Sequence, residues 1–145
     1  MSIDVANEGE NTETFNVTAY ANSSTIDTQQ VNNLNATGQL TLTFTLNTTI
    51  LAYGNYTISA KASLVPGETD VTDNTFIDGS VLITIPGDIN CDFKVNPQDL
   101  AILAQAYGSK PDSANWNPNA DINGNGKVDL PDLVLLALHY EQHYP

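Results

Sequence analysis

Asp88, Asn90, Asp92, Asn96 and Asp99 occupy positions 1, 3, 5, 9 and 12 of a 12-residue stretch, and Asp121, Asn123, Asn125, Asp129 and Asp132 occupy the same positions of a second stretch. Every one of these side chains ends in oxygen. Calcium is a hard cation that takes six to eight oxygen ligands at about 2.3–2.6 Å, and a short loop can supply them from those five positions plus the backbone carbonyl of position 7. That carbonyl belongs to Lys94 in the first stretch and to Lys127 in the second; position 9 can act through a water. Each stretch packs three carboxylates together, and like charges so close repel one another until a divalent ion relieves them. Two calcium ions are therefore expected, with binding coupled to folding.

The elements that must position these loops follow from an internal repeat. Asp88–Tyr107 aligns with Asp121–Tyr140 at an offset of 33 residues, and each copy reads as a polar loop followed by an apolar helix. Leu100, Leu103 and Tyr107 recur at helical spacing, as do Leu133, Leu136 and Tyr140. Position 12 coincides with the start of each helix, where a carboxylate also meets the positive end of the helix dipole. Gly108 is a suitable stop for the first helix.

This repeat resembles a type I dockerin from Gly87 to about Tyr144: paired F-hand (EF-hand-like) loops, Asp at position 12, and a Leu-rich helix after each loop. The resemblance implies a small α-helical fold, two bound calcium ions and a protein partner of the cohesin type. Three departures stand out. Phe93 holds position 6 of the first loop, where glycine normally makes a left-handed turn, and a bulky residue there costs roughly 1 kcal/mol or more. Cys91 replaces the glycine of position 4. Positions 10 and 11 are Pro97 and Gln98, then Leu130 and Pro131, where many relatives carry small hydroxyl residues that contact cohesin.

Residues 1–86 have a different period. Phe15–Ala21, Leu40–Leu46 and Tyr56–Leu64 alternate apolar with polar side chains, the mark of strands with one buried face. Ile3–Val5, Thr25–Val31 and Val81–Ile85 are shorter candidates, and Gly9, Asn32–Gly38, Gly54 and Pro66–Asp73 supply turns. Six short strands at this spacing predict an antiparallel β-sandwich, giving a mixed fold with an all-β N-terminal domain over 1–86 and a small α domain over 87–145, divided at Pro86-Gly87. The strings Val5–Gly9, Phe15–Tyr20, Leu40–Phe44, Tyr53–Ile58, Glu68–Asp70 and Asp73-Asn74 resemble the immunoglobulin-like CARDB (cell-adhesion-related) domains of bacteria and archaea, which imply a spacer or adhesion role. Such domains carry another strand before the Val5–Gly9 segment. The sandwich is therefore expected to lack its first strand and to leave an edge open to pairing.

Composition narrows the partners. Seventeen acidic residues stand against four lysines for a net charge of −13, which disfavours nucleic acid and anionic membrane surfaces. No apolar run reaches the length of a membrane span, and the first ten residues lack the regions of a signal peptide. N-x-Ser/Thr sequons at Asn16, Asn22, Asn35, Asn47 and Asn55 make these asparagines candidate glycosylation sites. With the calcium loops they favour an extracellular or cell-surface setting, the chain being a mature form or a piece of a longer protein. The single Cys91 excludes an internal disulfide; a free thiol is preferred over an intermolecular bond. His139 and His143, four apart on an expected helix, have zinc spacing but no third ligand. Trp116 is expected to cap the small core between the two helices.

No nucleophile–base pair, phosphate-cradling loop or cleft-spanning carboxylate pair is visible, so the chain is expected not to be an enzyme. The readings that remain are a calcium-ordered module that docks another protein, a calcium-stabilised subunit of a surface fibre or filament that associates with copies of itself, and a carbohydrate-binding module. The last is the weakest, because the wet strand faces carry few aromatic residues.

Overall fold

The computed structural model describes residues 1–145 and is β-rich, with six strands followed by two short helices. Its contacts divide the chain into two compact units, Met1–Val81 and Leu82–Pro145. This division falls ahead of the expected boundary at Pro86-Gly87 for a local reason. Ile85 is buried, its carbonyl accepts the Asp88 amide at 2.9 Å, and the Thr84 hydroxyl donates to the Asp88 carboxylate. The lead-in is part of the first loop's support.

In the N-terminal unit, β1 (Ser2–Ala6) pairs antiparallel with β4 (Gln39–Thr43), while β2 (Glu13–Ala21), β3 (Ser24–Leu34), β5 (Gly54–Ala62) and β6 (Thr75–Ile83) form a second sheet in the order β3-β2-β5-β6. Alternation explains the packing. Ile3 and Leu42 from the first sheet meet Phe15, Val17, Ala19, Val31 and Ala60 from the second in one buried cluster, and their polar neighbours in sequence face water. Asn7 closes one end of this layer pair. Its side-chain amide donates to the carbonyls of Asn11, Leu34 and Asn35 at 2.7, 2.9 and 3.2 Å, and its oxygen accepts the Gly9 amide at 3.0 Å. A buried carboxamide with its donors and acceptor satisfied fixes two loops at once.

Several strands run differently from their sequence pattern. β4 ends at Thr43, and of the leucines and phenylalanine in Leu40–Leu46 only Leu42 and Phe44 are buried, Leu40 being exposed. Leu64 lies beyond β5 and is exposed, so it leaves the face shared by Ile58 and Ala60. β3 continues through Asn32 and Asn33 to Leu34, and β6 begins at Thr75, well before Val81. Both extensions are edge strands whose composition carries no alternation, and hydrogen bonding to the neighbour decides their length rather than burial.

In the C-terminal unit, α1 (Pro97–Ala106) and α2 (Leu130–Leu138) each follow one polar loop. Proline sits at Pro97 and Pro131, in the first turn where a missing N–H removes no helical bond. α1 stops at Ala106, and Gly108 takes φ +80° just beyond it. Leu103 and Leu136 are the fully buried leucines of the two helices, whereas Leu100, Tyr107 and Tyr140 of the same periodic rows are exposed. Each helix thus buries a narrow stripe. Gly87 is needed where it stands: its φ is +98°, and a Cβ there would lie 3.0 Å from the Leu136 Cα.

Candidate metal centre

Both loops are wound around their own carboxylates. In the first, Asp88 accepts the amides of Asp92 (3.0 Å) and Phe93 (2.9 Å), and the Asn90 side-chain oxygen accepts the Asp92 amide at 3.1 Å. In the second, Asp121 accepts the amides of Asn125 (3.1 Å) and Gly126 (2.8 Å), and the Asn123 oxygen accepts the Asn125 amide at 2.9 Å. The bonds map onto one another at the repeat offset. Asp92 also accepts the Lys94 amide at 3.0 Å and the Asn90 side-chain amide at 3.0 Å. No hydrogen bond within the chain claims the carbonyls of Lys94 or Lys127.

The carboxylates at position 12 close the loops from below. Asp99 accepts the amides of Ile89 (2.8 Å) and Asn90 (3.1 Å) on one oxygen and that of Asn96 (2.9 Å) on the other. Asp132 accepts the amides of Asn123 (3.1 Å) and Asp129 (2.9 Å). Both side chains are 0% exposed, and each stands in the first turn of its helix. Position 9 has a second role that the ligand spacing did not reveal: Asn96 and Asp129 are the helix N-caps. The Asn96 oxygen accepts the Gln98 amide at 2.8 Å. At Asp129 the residue two further on is Pro131, which lacks an N–H, and a capping box pairs the Asp129 side chain with the Asp132 amide instead. Asp129 Oδ1 is buried without a hydrogen-bond partner, while Oδ2 stands 3.2 Å from the Lys127 ammonium.

These residues fit a hard cation. That ion pair is the only one in a chain of net charge −13. Buried carboxylates without a cationic partner are costly, amide donors offset part of that cost, and one buried carboxylate oxygen and two loop carbonyls remain free. No group of three His, Cys, Asp or Glu side chains gathers as a cluster; the donor sets mix carboxylates with Asn oxygens and backbone carbonyls. The expected left-handed turns are present, with Cys91 at φ +62° and Phe93 at φ +63° in the first loop, and Gly124 at +68° and Gly126 at +82° in the second. The Cys91 thiol is free and exposed. Its pKa is raised, first by partial desolvation and then by the carboxylates of Asp88, Asp99 and Asp92.

The two repeats also brace each other. Gly108 donates to the Val128 carbonyl (2.8 Å) and Val128 to that of Ser109 (3.1 Å); one offset away, Glu141 donates to the Val95 carbonyl (2.8 Å) and Val95 to that of Gln142 (2.9 Å). Val95 and Val128, at position 8 of each loop, are fully buried. The tail adds a contact found only on the first loop, where the Tyr144 amide donates to the Phe93 carbonyl at 2.9 Å and the two rings lie 6.2 Å apart. Glu141–Tyr144 and Thr84 were missed from sequence; the offset itself, which carries Gly108-Ser109 onto Glu141-Gln142, was the signal for the tail.

The remaining candidates separate. α2 ends at Leu138, so His139 and His143 are not neighbours on a helix; the His139 Nδ1 lies 3.0 Å from the Gln142 side-chain oxygen, and His143 pairs through its backbone with Lys94. Trp116 is half-buried. Asn16, Asn22, Asn35, Asn47 and Asn55 are all exposed. Asn22 and Asn47 are engaged, however: Asn22 accepts the Thr57 amide at 2.9 Å and Asn47 accepts the Thr49 amide and hydroxyl at 3.1 and 2.7 Å.

No curated protein matches the chain. Among solved structures, a domain from Methanosarcina acetivorans named as a cell surface protein is 21% identical, with 56% of this chain and 72% of that one covered at a TM-score of 0.46. An Acetivibrio cellulolyticus type II cohesin–X–dockerin complex, a C-terminal interface mutant, is 18% identical, with 89% of this chain and 83% of that one covered at a TM-score of 0.38. Its N-terminal interface mutant gives 17% identity, the same coverage and a TM-score of 0.36. Family models match both units: residues 86–139 match the Dockerin type I domain, and residues 1–78 match CARDB. The chain belongs to the CARDB family and carries, after its CARDB region, a region that matches the dockerin type I domain.

Proposed function

We propose that the C-terminal unit binds two calcium ions, one in Asp88–Asp99 and one in Asp121–Asp132, and that the ordered unit docks a cohesin-like protein partner in an extracellular or cell-surface setting, without catalysis. The observation that carries this reading is the duplicated winding of each loop around its own carboxylates, the one at position 12 fully buried in both, with almost no cationic side chains to balance them. Asp88, Asn90, Asp92, Asp99 and the Lys94 carbonyl would hold the first ion, with Asn96 through a water. Asp121, Asn123, Asn125, Asp129, Asp132 and the Lys127 carbonyl would hold the second. Calcium supplies positive charge that relieves carboxylate repulsion; the chain supplies the fold around it, in EF-hand-like loop–helix repeats that follow an immunoglobulin-like sandwich in the sequence.

Exposed apolar surface on α2 supports the docking role. Leu130, Val134 and Leu138 lie one helical turn apart and are 59%, 49% and 68% exposed, a stripe of aliphatic groups facing away from the unit's core. The corresponding α1 residues, Pro97, Ala101 and Gln105, offer no such stripe, so α2 is the docking helix. The match to the dockerin family model supports a cohesin-type partner. The test is binding of the intact chain to a panel of purified cohesins in calcium and in EDTA. The reading requires calcium-dependent capture that Val134→Asp abolishes; capture unaffected by EDTA and by that substitution would remove it.

A further inference from the structure

The two loops differ in chemical durability as well as in sequence. Asn123-Gly124 and Asn125-Gly126 are the only Asn-Gly pairs in the chain, and they fill positions 3 to 6 of the second loop. The first loop has Asn90-Cys91 and Asp92-Phe93 at those positions. Before glycine, the next backbone nitrogen reaches the asparagine carboxamide with least obstruction, because glycine has no Cβ. Asn123 and Asn125 are exposed, and nothing lies within 4 Å of where a Cβ on Gly124 or Gly126 would stand. In the wound loop both nitrogens are engaged: the Gly126 amide donates to Asp121 Oδ2 at 2.8 Å and the Gly124 amide to the Asp121 carbonyl at 3.3 Å. Those bonds hold the hydrogens whose removal makes each nitrogen a nucleophile. They are also the bonds that break when carboxylate repulsion unwinds the loop.

We propose, on the calcium reading of Asp121–Asp132, that Asn123 and Asn125 are modification sites of the calcium-free chain, where they convert to isoaspartate, and that this conversion irreversibly closes the second loop to calcium. The glycine nitrogen gives up its proton and bonds to the asparagine Cγ; the Cγ–Nδ2 bond breaks, and ammonia leaves with that proton. Water then opens the cyclic imide at either carbonyl, giving aspartate or isoaspartate. Isoaspartate carries the side-chain methylene in the main chain. At residue 125 this inserts a backbone atom between Asp121 and Gly126, whose 2.8 Å bond winds the loop. The Lys127 carbonyl, Asp129 and Asp132 then fall out of register with Asp121 and Asn123, and one ion no longer meets them all. Calcium delays the conversion by keeping the loop wound, so the second loop records the time that the chain has spent without the ion. The first loop has no Asn-Gly pair and keeps its site.

The experiment incubates the full chain at neutral pH in calcium and in EDTA and follows both by peptide mapping that separates asparagine, aspartate and isoaspartate. In EDTA, Asn123 and Asn125 are expected to convert at least about tenfold faster than any other asparagine. Modification through an open state tracks the open population, so calcium at about a hundred times its dissociation constant should slow conversion about a hundredfold. Chain aged in EDTA and returned to calcium should lose the amide responses of Asn123–Gly126 in step with its isoaspartate content and keep those of Asn90–Phe93. Gly124→Ala together with Gly126→Ala, which sets a methyl group beside each nitrogen, should slow conversion in EDTA at least about tenfold. Conversion in EDTA no faster at Asn123 and Asn125 than at other asparagines, equal rates in calcium and in EDTA, or an aged chain whose second loop still responds to calcium would each overturn the proposal. Calorimetry of the fresh chain reads calcium binding by itself, so a failed calcium reading is told apart from failed chemistry, which the peptide map of the EDTA sample measures alone.

Discussion

The two loops of the C-terminal unit carry the same oxygen-bearing positions on different backbones. The second makes its left-handed turns with Gly124 and Gly126; the first makes them with Cys91 and Phe93 at nearly the same φ. A side chain in that region costs about 1–2 kcal/mol. The first loop offsets part of this through the Phe93–Tyr144 contacts. The second loop has its own asymmetry: Pro131 offers Asp129 no N–H two residues on, and Asp129 Oδ1 is unpaired in a buried position. The comparison teaches that one oxygen-bearing pattern can be supported by opposite means: a strained loop braced by the chain's tail, and an unstrained loop that leaves one buried carboxylate oxygen unpaired. The second loop should therefore bind calcium more tightly.

The largest effect is expected at position 12, where the loops are most alike. Asp132→Ala or Asp99→Ala removes a buried carboxylate that gathers several amides, and each should abolish calcium binding in its own loop and cost about 3 kcal/mol in stability. Calorimetry and thermal melts would show it; a loop that still binds after losing that carboxylate would break the equivalence. Next comes the strain difference. Phe93→Gly should tighten the first loop several-fold, about 1 kcal/mol, while loosening the tail, seen as faster amide exchange at Tyr144. Gly126→Phe should weaken the second loop by more, since no partner for the ring has been built there. Equal affinities before and after both changes would remove the strain argument.

A smaller effect is expected from Pro131→Ala. Restoring an N–H at that residue gives Asp129 a second cap donor, the one Asn96 has in Gln98, which competes with the ion, so calcium affinity in the second loop should fall by about 0.5–1 kcal/mol while stability in EDTA rises. The smallest should come from Lys127→Gln, which removes an exposed ion pair worth a few tenths of a kcal/mol and should raise calcium affinity slightly. A fall instead would mean that the lysine holds Asp129 in its binding position.

Much of this was legible in the sequence. The loops and helices were visible because they are duplicated: two copies of an oxygen-bearing pattern at one offset leave little room for another assignment. The positive φ at Phe93 was legible for the same reason, since its counterpart is Gly126. The strands that alternate, Phe15–Ala21 above all, were placed closely, because burial against the other sheet enforces the period. β6 was legible only in its last residues; its exposed Phe76 and Ile77 have no buried face to impose alternation. Asn7 could not be singled out either, because three of its acceptors are carbonyls brought in by chain reversal. The capping role of Asn96 and Asp129 was hidden behind their ligand spacing, and the consequence of Pro131 needed the cap geometry first.

Calcium titration of the intact chain, followed by amide NMR and by melting in EDTA, tests the central claim most directly. The account predicts two resolved events, with the amides of Asn123–Gly126 responding before those of Asn90–Phe93. It also predicts a loss of about 3–4 kcal/mol in stability of the C-terminal unit when calcium some hundred- to thousand-fold above its dissociation constant is withdrawn. Spectra and melting curves identical in calcium and in EDTA would contradict it.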